Sequence, residues 1–161
     1  MADIPTTPSA EHREWMMCSR SPAYFIEHHA MIYDSVSRGW TRFALWPAQA
    51  TALDAIERSR QIVILKARQL GMSWLCAGYA LWLMLFRPAA TALIFSRRDE
   101  EAVHLLNFRL RGMLERLPDA LAPSGVARDN AHELRLRNGS TALAFPTTGG
   151  RSYTANLAIV D

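Results

Sequence analysis

Lysine is almost missing from this chain. Of its 18 basic residues only Lys66 is a lysine; the rest are Arg. Cysteine is as scarce, with Cys18 and Cys76 far apart in sequence. That count excludes a disulfide framework and makes a reducing cytosol the expected setting, with Cys76 a buried thiol on an apolar helix. No apolar run reaches membrane-spanning length. The longest uncharged stretch, Gln69 to Phe86, opens in a polar loop and leaves a helix of about 13 residues, short of the roughly 20 a bilayer needs. The N-terminus carries Asp3, Pro5 and Pro8 and no apolar segment, so no signal peptide is expected. No histidine pair has metal-ligand spacing: His28 and His29 are adjacent, point apart on a helix, and read as surface or capping residues. A net charge of +3 and a pI of about 9.2 are compatible with nucleic acid without being diagnostic of it.

What is present is a core. Half of the 161 residues are apolar, and five Trp and six Phe exclude a disordered chain. The length is that of about one domain. Its centre is Lys66-Ala67-Arg68-Gln69-Leu70-Gly71-Met72-Ser73. The apolar run Ile62 to Leu65 before it makes Gln61 to Leu65 read as a buried strand, and Trp74 to Phe86 after it reads as a helix. Strand, polar turn with Gly, then Ser opening a helix is the layout of a phosphate-binding loop. The unpaired amides of the helix's first turn attract an anion, and a hydroxyl at Ser73 suits Mg²⁺. Against G-x-x-x-x-G-K-[ST], Gly71 and Ser73 fit. Lys66 occupies the first Gly position and Met72 the usual Lys position. The single ammonium of an Arg-using chain therefore stands at the mouth of this loop, on a flexible stem suited to reaching phosphate.

The remaining elements follow in order. Residues 1–12 read as a loose arm. A short helix is expected over Glu11 to Cys18. A second is opened by Ser21 and Pro22, with Tyr24, Phe25, His28 and Ile32 on one face. Ser37-Arg38-Gly39 breaks it. A helix over Gln49 to Arg58 carries Ala50, Leu53 and Ile56. Thr91 to Ser96 reads as a buried strand. Ser96 is then expected to cap a helix whose apolar face runs from Val103 through Leu106, Leu110 and Met113 to Leu117. Arg97, Arg98, Arg109, Arg111 and Arg116 read as its solvated face, with DNA contact the alternative. Pro118 to Asn130 reads as a loop. Glu133 to Arg137 and Ser140 to Phe145 form a β-hairpin through a type I′ turn at Asn138-Gly139. Finally, Leu157 to Val160 reads as a buried strand ending in Asp161, a carboxylate delivered to Mg²⁺.

The run IVILKARQLGMSWL resembles the nucleotide-binding loop of phage large terminase subunits, the ATPases that pump DNA into procapsids. Some members carry Lys at the first loop position, as Lys66 does here. The resemblance implies an α/β fold: a P-loop NTPase-type three-layer sandwich with a mostly parallel sheet, truncated after the Walker B strand. It implies residues 13–60 as a helical N-terminal segment with an adenine-contacting element, and 61–161 as an incomplete ATPase core. The cofactors would be ATP and Mg²⁺. Lys66, Arg68 and Asp161 would be catalytic, Arg68 by sensing or stabilising the γ-phosphate. Gln49, Ala67, Gln69, Leu70, Gly71, Met72 and Arg151 would complete the ATP site, and Ser73 and Asp161 would hold the metal. Gln49 would read adenine, although a Gln near a helix start is commonly just solvated. Arg151, in a Gly-Arg element, would reach phosphate or a neighbouring subunit, or be a plain loop residue.

The partners implied are double-stranded DNA, the portal protein, the small terminase subunit and further copies in a ring, in the bacterial host cytoplasm and with no membrane. In the family a Glu that activates water follows this Asp, and further ATPase strands and a nuclease domain follow that. The expectation for this chain is nucleotide binding with negligible turnover. A helicase-like nucleic-acid-dependent ATPase and a non-catalytic prophage remnant remain the alternatives.

Overall fold

The computed structural model describes residues 9–150 and 152–161. Two helices open it. Ser9 caps α1 (Ala10–Arg20) by accepting from the His12 amide, so the helix starts inside the span expected as a loose arm. Ser21 caps α2 (Pro22–His29) through the Tyr24 amide, as its Ser-Pro start predicts. The two helices are tied by Glu14. Its carboxylate meets His29 Nε2 at 2.7 Å and accepts from Tyr24 Oη at 3.3 Å. His29 is thus half-buried and paired with an acid, not a free surface group. Cys18 Sγ lies 3.9 Å from the same carboxylate. Its thiol is pushed up to about 12, by burial first and the Glu14 charge second.

Ile32 is not on α2. The chain turns out of the helix at Ala30 and forms an antiparallel hairpin, β1 (Met31–Asp34) with β2 (Gly39–Arg42). The break expected at Ser37-Arg38-Gly39 is its turn. Asp34 holds it by accepting from the Val36 and Ser37 amides, both at 3.0 Å. Helix α3 (Pro47–Arg58) buries Leu53 and Gln49. Helix α4 (Met72–Phe86) is apolar nearly all round, so it lies inside, with Leu75, Ala80, Leu81 and Met84 fully buried.

Among the described residues the central sheet has five strands, in the order β4 (Val126–Asp129), β5 (Glu133–Leu136), β6 (Thr141–Pro146), β3 (Thr91–Ser96), β7 (Leu157–Val160). Its centre is parallel: β3 pairs with β6 on one side and β7 on the other. Two antiparallel strands extend it, β5 and β4. Strand β4 occupies part of the expected Pro118 to Asn130 loop. All its residues are exposed, so it lacks the apolar alternation that would mark it.

The strand expected at Gln61 to Leu65 does not pair. Val63 and Leu65 are 97% and 99% exposed. A strand is held by its ladder. Among the described residues strand β7 bonds only to β3, and it is parted from Ile62, Ile64 and Lys66 by a cleft of about 160 Å³. For the same reason β7 is not the buried strand its sequence suggests: it is a sheet edge, with Val160 72% exposed.

The hairpin of β5 and β6 is present, but its turn is not type I′. That turn needs a positive φ at Asn138, and only Gly139 has one, at 88°. Gly139 N–H bonds Leu136 C=O and the Leu136 N–H bonds Ser140 C=O, which makes a wider loop with a glycine bulge. Asn138 is held otherwise. Its Nδ2 donates to Met84 C=O at 2.7 Å, and its Oδ1 accepts from the Ser140 amide at 2.9 Å. Asn138→Ala is expected to cost about 1–3 kcal/mol in urea unfolding, because it strands two partly buried groups.

One long helix crosses the sheet: α5 (Asp99–His104), a π-helical segment (Leu105–Arg111) and α6 (Gly112–Leu114). Leu106, Leu110 and Met113 are fully buried on it, as the spacing predicts. The cap is not Ser96. Arg98 occupies that position, its amide donating to Glu101, while Ser96 Oγ lies 2.9 Å from Glu101 Oε2. Nor is the arginine face uniformly solvated. Arg97 and Arg98 are exposed. Arg111 is paired with Asp129, Arg116 lies 3.7 Å over the Trp40 ring, and Arg109 packs on Trp74.

Candidate nucleotide-binding site

The loop between α3 and α4 is shaped by its own backbone. Gln69 and Gly71 both take positive φ, 65° and 67°. Gly71 is the N-cap of α4, which leaves the amides of Gly71, Met72, Ser73 and Trp74 without helical partners. From below, Gln49 holds the turn. Its Oε1 accepts from the Trp46 amide and its Nε2 donates to Leu70 C=O, each at 2.9 Å. Gln49 is 4% exposed. Here its amide braces the loop, and any base contact would be made with what that bracing leaves.

Three residues singled out in sequence converge. Ser73 Oγ donates to Asp161 Oδ2 at 2.8 Å, and Lys66 Nζ stands 3.7 Å from Asp161 Oδ1. Asp161 is placed by the sheet: its amide donates to Phe95 C=O at 3.0 Å, at the end of β3. Ser73 is placed by the first turn of α4. A hydroxyl and a carboxylate oxygen side by side are hard donors of the kind Mg²⁺ takes. Ala67 and Arg68 are exposed on the loop, and Met72 is buried beneath it. The loop opens on a cleft of about 790 Å³ lined by Lys66, Arg68, Gly71, Ser73, Trp46 and Arg109. Trp46 is 57% exposed there. Cys76, half-buried one turn along α4, has its thiol pushed up to about 11 by burial, with the Asp161 charge adding and Lys66 opposing. Arg151 lies outside the described residues.

Arg109 is the neighbour that sequence reasoning misplaced. It lines both the loop cleft and an adjoining hollow with Ser96, His104 and Asp161. Its signal is hidden by the π-helical turn, whose i→i+5 spacing defeats a 3.6-residue wheel.

A partly parallel sheet, a glycine turn at a helix N-terminus and a strand-borne carboxylate facing that helix's first hydroxyl define a P-loop NTPase-like α/β fold. The fold is similar to that of the HK97 bacteriophage large terminase, with a TM-score of 0.69 and 21% identity over 89% of this chain and 30% of that one. The likeness to large terminases read from the loop therefore holds at the level of the fold, and this chain spans less than a third of that protein's length. No protein-family model matches the sequence, and no curated protein does. Among the described residues no helix is long and apolar enough to cross a membrane.

Proposed function

We propose that this chain is the nucleotide-binding part of a large-terminase-type ATPase, which in a complete protein couples ATP hydrolysis to movement of double-stranded DNA into a procapsid. The observation that supports it most is the meeting of Lys66, Ser73 and Asp161 at one point, with the loop amides opening beside it. In this reading the amides of Arg68 to Ser73 cradle phosphate oxygens. Lys66 offsets charge on the β- and γ-phosphates, and Arg68 stands at the open side of the loop for the γ-phosphate. Ser73 and Asp161 hold Mg²⁺, which when bound neutralises phosphate charge. Gln49 keeps the loop in place, and an adenine contact falls to its remaining amide hydrogen and to the Trp46 face. Arg151 would reach phosphate or a neighbouring copy. DNA, a portal, a small subunit and a ring of copies in the host cytoplasm belong to the complete assembly.

Binding exceeds turnover in this reading. Asp161 is engaged with Ser73 and Lys66. Among the described residues the acid lining the loop cleft is Asp34, held by the amides of its own turn; Asp161 lines the adjoining hollow with Glu100 and with Glu101, which accepts from Ser96 Oγ and the Arg98 amide. Asp161, Asp34 and Glu101 are thus each engaged with other groups instead of being aimed at a water, and phosphoryl transfer depends on that positioning. The chain is therefore expected to bind Mg-ATP weakly and to hydrolyse it negligibly. Lys66→Ala should weaken Mg-ATP at least about tenfold, roughly 1.4 kcal/mol, in a fluorescent-nucleotide titration. Unchanged affinity in that variant would sink the loop assignment, and turnover that the variant abolishes would sink the claim of inactivity.

A further inference from the structure

Arg109 Nε and Nη1 are buried and have no hydrogen-bond partner. A guanidinium carries five donors and keeps its charge, so leaving two of its nitrogens dry and unpaired is costly. Burial lowers its pKa from the usual value, and the nearby Asp161 charge opposes that. The side chain is held in place even so: it lies over the Trp74 ring at 5.5 Å, and Trp74 follows Ser73 in the first turn of α4. It also projects from the π-helical segment, a distortion found frequently at functional sites. Arg109 lines the loop cleft with Ser73 and the hollow with Asp161, but not the cleft on the Cys76 side that Lys66 lines. Lys66 lines the loop cleft as well, so both cations border the opening in which a phosphate would lie.

We infer that Arg109 is a further phosphate-binding residue, whose guanidinium takes the terminal phosphate of a nucleoside triphosphate and so discriminates tri- from diphosphate. This rests on the nucleotide-loop reading. The loop amides cover the inner phosphates. A phosphate beside the Ser73 and Asp161 oxygens would bring acceptors to the Arg109 guanidinium, which lines the same cleft as Ser73 and the same hollow as Asp161. Guanidinium suits the task because its planar fork engages two phosphate oxygens at once. Trp74 supplies the fixed platform, so little side-chain freedom is lost on binding.

The test is titration of the whole chain with Mg-ATP and with Mg-ADP, for wild type, Arg109→Gln, Arg109→Lys and Lys66→Ala. Arg109→Gln is expected to weaken ATP about tenfold and ADP less than about twofold. Arg109→Lys should recover part of the ATP preference, since it restores charge without the fork. A structural role alone would weaken both nucleotides together, and that result, or an unchanged ATP-to-ADP ratio, overturns the inference. If Arg109→Gln fails to fold, Arg109→Lys carries the same readout: full ATP preference with lysine would mean that the fork is not used, which also overturns it. Loss of ATP binding in Lys66→Ala with no change of ratio at Arg109 refutes this residue and leaves the loop standing. No binding of either nucleotide by wild type refutes the loop, and this inference with it.

Discussion

Gly71→Ala is expected to abolish the proposed nucleotide binding and to lower stability by about 2–5 kcal/mol. Two costs add. The residue holds φ at +67°, where an L side chain costs about 1–2 kcal/mol. A Cβ there would also stand 2.7 Å from Gln49 Nε2. An amide end could normally swing away, but this one is 4% exposed and fixed at both ends, to the Trp46 amide and to Leu70 C=O. Moving it leaves Leu70 C=O and the Gln49 amide unpaired, about 1–3 kcal/mol more. Relief by shifting the loop instead would move the Gly71 and Met72 amides off the anion position. Denaturant midpoints and a Mg-ATP titration measure the two effects. Gly71→Asn separates their causes, because Asn tolerates the left-handed region yet still carries the colliding Cβ. If Gly71→Asn binds ATP like wild type, the Gln49 brace is not what shapes the loop.

The meeting of Ser73 with Asp161 was legible from the sequence because both positions are tied to local pattern. Ser73 at a helix start after Gly71, and an aspartate ending an apolar run, are statements about neighbours in the chain. The sheet then brings the two groups together without further information, since β7 lies parallel beside β3. What was not legible depends on partners distant in sequence. Ile62 to Leu65 reads as a buried strand, yet an apolar run becomes a strand only where an edge receives it, and β7 is separated from it by a cleft. The type I′ turn fails because Asn138 spends its side chain on Met84, a contact no turn table contains. His29 read as a surface residue because its partner, Glu14, sits on another helix. Arg109 read as solvated because a π-helical turn has no signature in periodicity. The β1–β2 hairpin was missed because its strands lack alternation, and the rings that pack on Tyr33 and Trp40 come from Trp74 of α4 and Phe108 of the π-helical segment.

That hairpin sets the second large effect. Trp40 sits on β2 and lies against Gly112 so closely that a Cβ there would be 2.5 Å from the ring. Its other faces meet Trp74 at 5.7 Å, Phe108 at 5.6 Å and the Arg116 guanidinium at 3.7 Å. The ring thus joins the hairpin to the residue beside Ser73 and to the turn that carries Arg109. Trp40→Ala is expected to cost about 3 kcal/mol, the low end for a Trp because the side chain is only half-buried. For a chain of this size that lowers the midpoint of melting by roughly 6–12 °C. Gly112→Ala alone should also destabilise, by about 1–3 kcal/mol, because the methyl meets a ring that is wedged on its other faces. With Trp40 already removed the collision is gone, and the better helix propensity of Ala, worth about 1 kcal/mol, should make Gly112→Ala stabilising. The double-mutant cycle in urea therefore has a sign reversal at Gly112. Additive losses in that cycle would mean that Trp40 does not rest on Gly112, and the path by which the hairpin supports Trp74, Arg109 and the loop would have to be redrawn.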